Sequence, residues 1–262
     1  MRTDLPTDLL EGATSAEPLT LSESGPHWAH AAQQADRLRA LDCEIAKMAW
    51  AQDAAALALR EEVEASFLIE AEVADADAIA RMIAATTILR GAPYLAPEAL
   101  CRAHAELMRP EGGARPGFFR DHFVQVGRHV AVSPGAVRRC LEHASRGYGR
   151  AGRAERLIGA AAGHHRLSWI HPFSDGNGRI ARAALRVRLM EELPGAGAWS
   201  LSPILLERQG DYLRAMAGAD EPRRGDRDGR GNLSEANLAS LVTFLLGCME
   251  EAMTRAVERL SG

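Results

Sequence analysis

From Trp28 to the last residues of the chain, apolar side chains recur at three- and four-residue spacing, segment after segment. HWAHAAQQADRLRALDCEIAKMAW, EEVEASFLIEAEV, DADAIARMIAATTIL and the stretch from Ala96-Pro97 to Leu107 carry the pattern. So do GAVRRCLEHASRGYG, AERLIGAAAGHHRLSWI, IARAALRVRLMEEL, SPILLERQGDYLRAMAGA and SEANLASLVTFLLGCMEEAMTRAVERL. That period puts one apolar stripe on a helix and nothing coherent on a strand. It breaks once. FVQV and HVAV alternate apolar and polar residues on either side of Gly127-Arg128, as a short hairpin does. Ser133-Pro134 then reads as an N-cap and first turn. With 47% hydrophobic and 25% charged residues, 262 residues bury a sizeable core. The expected fold class is all-α: a single helical domain with one short β-hairpin. Residues 1–25, polar and acidic, read as a tail, 26–95 as N-terminal helices and 96–262 as the core. DEPRRGDRDGRGN, charged and rich in glycine, reads as a mobile loop.

HPFSDGNGRIAR, starting at His171, carries the chemistry. The apolar LSWI before it reads as the buried end of a helix. Pro172 disfavours helix at His171, and a new helix starts near Asn177 or Gly178. A Gly-Asn-Gly turn that opens a helix presents backbone N–H groups and the positive end of the helix dipole, a ready anion site. Gly176 and Gly178 let phosphates come close to the backbone. Arg179 and Arg182, three apart, share a helix face, and two guanidinium groups beside such a nest point to a polyphosphate. Asp175 would repel that anion unless a cation lies between, and Mg²⁺ takes one or two carboxylates plus phosphate oxygens. His171, at the rim, is the residue type of a general base near neutral pH. Phe173 reads as a core anchor for the loop. Each piece alone has a plain structural explanation; their combination does not.

The stretch resembles the signature of the Fic family, HxFx(D/E)GNGRxxR, at every fixed position. GHHRLSWIHPF is similar to the helix before that signature, with His164 at a common histidine. FFRDHFVQVGRHVAVSP resembles the family's flap hairpin, and LSPILLERQGDYLRAM and GNLSEANLASLVTFLL resemble its later helices. The likeness covers roughly residues 60 to 260. It implies a Fic-type helical domain and transfer of AMP from ATP to a Tyr, Thr or Ser hydroxyl of a target protein. It implies that His171 deprotonates the hydroxyl and that Asp175 holds Mg²⁺ across the α- and β-phosphates. Gly176, Asn177 and Gly178 would bind phosphate oxygens, and Arg179 and Arg182 the β- and γ-phosphates. Tyr212 stands where the family tends to have a tyrosine near the base. Val124, Gln125, Val126 and Gly127 would dock a target segment along the flap.

The resemblance also implies a brake. Many Fic proteins carry an inhibitory helix with (S/T)xxxE(G/N), whose glutamate pairs with the second arginine of the signature. Ser66 and Glu70 have that spacing, which would set Glu70 against Arg182. Ala71 stands where Gly or Asn is expected, and a helix running on through Ala71 would still carry Glu70 to that arginine. Other donors (UMP, phosphate or phosphocholine transfer), removal of AMP, and a nucleotide-binding interaction module stay open.

The formal net charge of −4 argues against a nucleic-acid backbone as the main partner. No segment is long and apolar enough to span a bilayer, so no membrane partner is expected. Cys43, Cys101, Cys140 and Cys248 lie far apart without CxxC spacing, which fits a reduced cytoplasmic protein with buried thiols. A homodimer is left open.

Overall fold

The structure, a computed structural model, describes residues 28–48, 52–109, 115–148, 155–225, 228 and 231–261. The tail read over residues 1–25 lies outside them. Ten α-helices carry the described residues: α1 (Ala29–Lys47), α2 (Gln52–Leu68), α3 (Ala76–Leu89), α4 (Pro97–Leu107), α5 (Val137–Tyr148), α6 (Glu155–Ile170), α7 (Asn177–Glu192), α8 (Ser202–Glu207), α9 (Gln209–Ala219) and α10 (Glu235–Ser261). Their one sheet is an antiparallel hairpin, β1 (Gln125–Val126) and β2 (His129–Val130), with Gln125 opposite Val130 and Val126 opposite His129. The all-α class with one hairpin is what the structure has.

Two helices form the centre. α6 and α7 pack on each other, and both are buried nearly all round. A helix buried on every face has neighbours on every face. For α6 these include α5, α1 and α10; for α7 they include α3. The outer helices show the single stripe that their spacing predicts. In α1 the buried positions are Ala31, Gln34, Ala35, Leu38, Asp42 and Ile45. The loop between α6 and α7 is the HPFSDG stretch, so the two most constrained helices hold it from both sides.

Four local expectations need revision. SPILLERQGDYLRAMAGA is two helices that break at Arg208 (φ −106, ψ 27), although apolar spacing runs through the break. Ser133 starts a 3-10 turn at Pro134–Ala136 but makes no side-chain cap. The glycine-rich loop is tied down where it is described: the Asp228 carboxylate accepts from the Ser234 hydroxyl and from the Ala236 and Arg224 N–H groups. The cysteines are unpaired, yet only Cys248 is buried and Cys43 is exposed.

Candidate active site

α6 ends at Ile170 because Pro172 forbids a right-handed residue before it. His171 goes instead to φ +51. A left-handed conformation costs a residue with a side chain about 1–2 kcal/mol, so the surroundings must hold it. Gly176, at φ +72, is the second left-handed residue and the N-cap of α7. Between them the Asn177 side chain closes the loop. Its Oδ1 accepts from the Phe173 N–H at 2.9 Å, and its Nδ2 donates to the Phe173 carbonyl at 2.8 Å. What Asn177 offers an anion is therefore its backbone N–H, not its amide. Phe173 is fully buried and stacks on His104 at 3.8 Å.

α7 then begins, and the N–H groups of Asn177, Gly178 and Arg179 have no intrahelical acceptor. Asp175 is exposed; both of its described carboxylate contacts use Oδ1, from the Gly176 N–H at 2.6 Å and near Arg179 Nη2 at 3.5 Å. Among the described residues no group of three or more His, Cys, Asp or Glu could hold a metal alone. A single carboxylate beside an anion nest fits Mg²⁺, which completes its shell with phosphate oxygens and water.

Over this N-terminus lies the end of α2. Arg182 Nη2 donates to Glu70 Oε1 at 2.6 Å and to the Ser66 carbonyl at 2.7 Å, and its Nε donates to Ser66 Oγ at 2.7 Å. Arg179 Nε stands 3.2 Å from Glu70 Oε2 as an ion pair, and its Nη1 donates to Glu72 Oε2 at 2.9 Å. The Phe67 ring faces the Arg179 guanidinium at 5.2 Å. A Cβ added at Gly178 would fall 2.1 Å from Glu70 Oε1, so the carboxylate needs that glycine. Glu70 thus sits on the nest itself, between both arginines.

The helix does not run on through Ala71. Ala71 takes φ +58. Its N–H donates to the Leu68 carbonyl at 3.0 Å, and the Glu72 N–H to the Phe67 carbonyl at 3.1 Å. This is a Schellman end with alanine in the left-handed position that glycine usually fills. The tight turn, not a longer helix, brings Glu72 to Arg179.

His171 is half-buried. Its Nδ1 lies 3.3 Å from the Ser168 carbonyl, which can only accept, so the proton is on Nδ1 and Nε2 keeps its lone pair. Burial first pushes its pKa down to about 4, against an upward pull from the Ser168 carbonyl bond, with Arg120 and His129 lowering it further and Glu70 raising it a little. It is neutral at pH 7. Tyr212 is buried beneath α7. Its hydroxyl and His164 Nε2 lie 2.8 Å apart, while His164 Nδ1 faces the Ala181 carbonyl at 3.2 Å. The phenol therefore donates to His164. In this conformation Tyr212 shows almost no ring surface. Val124 is half-buried, while Gln125, Val126 and Gly127 are exposed along the hairpin. Glu72, Phe67, Arg120 and His104 escaped the sequence reading. Glu72, Arg120 and His104 act through a loop conformation or backbone groups, and Phe67 through a ring contact across elements, none of which leaves a spacing in the sequence.

Helical fold, broken-helix loop and arginine pair together define the class, a helical domain built around a glycine-flanked helix start with two arginines beside it. Residues 94–189 match the profile of the Fic/DOC family. The chain is 26% identical over 189 residues to a curated protein adenylyltransferase Fic of Aedes aegypti, covering 70% of this chain and 33% of that protein. A protein of the same name from Culex quinquefasciatus is 26% identical over 192 residues, with the same coverage. The chain thus spans about a third of the length of these relatives. The fold resembles that of a Fic family protein from Desulfovibrio desulfuricans G20, with a TM-score of 0.73, 19% identity and coverage of 93% of this chain and 77% of that one. Residues 94–189 thus form a Fic/DOC family domain.

Proposed function

We propose that this chain is a protein adenylyltransferase that moves AMP from ATP to a Tyr, Thr or Ser hydroxyl of a protein target, and that Glu70 holds it back. One observation carries the reading: the Glu70 carboxylate lies at the start of α7, bonded to Arg182 and paired with Arg179. An anion already occupies the ground that a terminal phosphate would take. The curated relatives' name supports AMP as the group transferred.

In this mechanism the phosphates lie against the N–H groups of Asn177, Gly178 and Arg179. The dipole of a 16-residue helix favours negative charge there. Arg182 and Arg179 hold the outer phosphates once Glu70 leaves. Asp175 would hold Mg²⁺, which when bound offsets phosphate charge. The target segment adds along β1 as an extra strand, so that Val124, Gln125, Val126 and Gly127 dock its backbone. The target hydroxyl oxygen attacks the α-phosphorus, and the bond from that phosphorus to the α,β-bridging oxygen breaks. Pyrophosphate leaves, and His171 Nε2 takes the hydroxyl proton. A bound polyphosphate favours the imidazolium that this produces, raising the low pKa of His171. With Glu70 in place the α-phosphate site survives but the outer phosphates cannot seat, so the in-line geometry is lost.

The test is ATP labelled at the α-phosphate, with Mg²⁺ and cell lysate, on the wild type, Glu70→Gly and His171→Ala. Label on protein should rise at least about tenfold in Glu70→Gly and vanish when His171→Ala is added. Equal label in wild type and Glu70→Gly would sink the brake. ATP bound with no label in either would turn the reading to an interaction module or another donor.

A further inference from the structure

The loop bearing His171 and the hairpin come from distant stretches of the chain, and the motif contains nothing that joins them. Arg120 joins them. Its side chain is buried, at 4% exposure. Its Nε donates to the His171 carbonyl at 2.7 Å, and its Nη2 to the Ile170 carbonyl at 3.3 Å and to the Val132 carbonyl. Its Nη1 donates to the His122 carbonyl at 2.8 Å, and its own N–H to the Pro172 carbonyl at 3.0 Å. One residue thus gathers three consecutive carbonyls at the end of α6 and one from each side of the hairpin.

The chemistry suits this task. Carbonyls at a helix C-terminus carry the negative end of its dipole and favour a cation. A planar guanidinium with fixed donors can reach both sides at once; an ammonium on a flexible stem cannot. Burial works against the Arg120 charge, and the four carbonyl bonds of the guanidinium offset that. His171 also needs restraint, because its left-handed φ is not one it would keep alone. His104 adds a second stitch between the same segments. Its Nδ1 accepts the Gly117 N–H at 2.9 Å, which leaves the proton on Nε2, 3.1 Å from the Asp175 carbonyl.

We propose that Arg120 is a positioning residue that fixes the His171 loop and the hairpin as one unit, so that a segment docked on β1 meets the His171 ring at a set distance. This rests on the adenylyltransferase reading above. Arg120 touches neither nucleotide nor hydroxyl in that reading. It acts through His171 and the hairpin.

The experiment uses the full chain carrying Glu70→Gly, alone and with Arg120→Lys or Arg120→Met. Three quantities are measured: kcat for labelling, KM for ATP, and amide hydrogen exchange. Expected are a loss in kcat of about 100-fold with KM changed by less than about threefold, because ATP is held by residues 176–182 and a displaced base costs rate, not nucleotide affinity. Exchange should rise together over residues 119–132 and 170–175. Unchanged kcat, a KM that rises as far as kcat falls, or faster exchange in only one segment would overturn the proposal. Arg120→Lys keeps the charge, so it decides the matter if Arg120→Met does not fold. If the Glu70→Gly parent gives no label, the adenylyltransferase reading fails by itself. The paired exchange then decides whether Arg120 binds the two segments.

Discussion

Arg179 and Arg182 lie one helical turn apart, yet their partners differ in kind. Arg182 is held by Glu70 but also by the hydroxyl and carbonyl of Ser66, which carry no formal charge. If Glu70 left, those bonds would keep Arg182 aimed at the nest. Arg179 is held by Glu70, Glu72 and Asp175, all acids, with Phe67 against its face. Removing Glu70 therefore frees Arg182 but leaves Arg179 paired with Glu72. Adding Glu72→Gln to Glu70→Gly should lower KM for ATP a further two- to fivefold or so, with kcat nearly unchanged. The Glu72 side chain is 46% exposed, so its ion pair is worth no more than about 1 kcal/mol. An ATP titration of both variants checks this, and equal KM values would make Glu72 a bystander. Glu70 was legible through the family resemblance, whose inhibitory pattern sets a glutamate four residues after a residue like Ser66. Glu72 was not, because its reach depends on a left-handed alanine, and alanine does not announce that conformation as glycine does.

At the scale of elements, α2 is part of the core, not an appendage laid over it. Glu62, Ser66 and Glu70 are four apart and share one face. Glu70 and Ser66 meet α7, and Glu62 meets the start of α8. There Glu62 Oε2 accepts from the Leu201 N–H at 2.6 Å and the Ser202 N–H at 2.9 Å, and Oε1 accepts from the Ser202 hydroxyl at 2.6 Å. Ala58, Val63 and Phe67 are buried beside them. Release of Glu70 then belongs to the turn at 69–72, whose Ile69 carbonyl is held by Gln209 at 2.7 Å, and not to departure of the helix. Glu62→Ala strips a buried helix start of its acceptor and should cost about 2–3 kcal/mol, read from the urea midpoint. A loss under about 0.5 kcal/mol would mean that water replaces the carboxylate. Helix period and the Pro172 break announced most elements and the loop between α6 and α7. The gap at Arg208 stayed hidden because the apolar stripe continues across it, and the stripe is what a sequence reports.

Across the whole molecule, three neutral histidines sit where elements meet. His104 joins α4 to the His171 loop and the segment before the hairpin, His164 joins α6 to α7 and Tyr212, and His171 closes α6. Only His164 and His171 stand out in the sequence; His104 takes its role from what the folded chain brings to it. Burial is the main cause that pushes each pKa from an ordinary 6.5 down to about 4. Below about pH 6.5 the unfolded chain takes up protons that the folded chain refuses until about pH 4. Stability should therefore be fully present above pH 6.5 and fall as pH drops toward 4. The carboxylates held low by arginines, Glu98 and Glu207 among them, lie in a different window, since their ordinary value is 4.5 and both are pulled below it. A decline that begins near pH 6.5 thus belongs to the histidines. Urea midpoints taken between pH 7.5 and 4.5 read it directly, and a flat profile would mean that the folded protein accepts those protons. Labelling by Glu70→Gly over the same range gives the second half of the argument. A base that stays neutral down to about pH 4 does not switch off at pH 6. Loss of kcat/KM in mild acid should follow the loss of folded protein, point by point, and not run ahead of it.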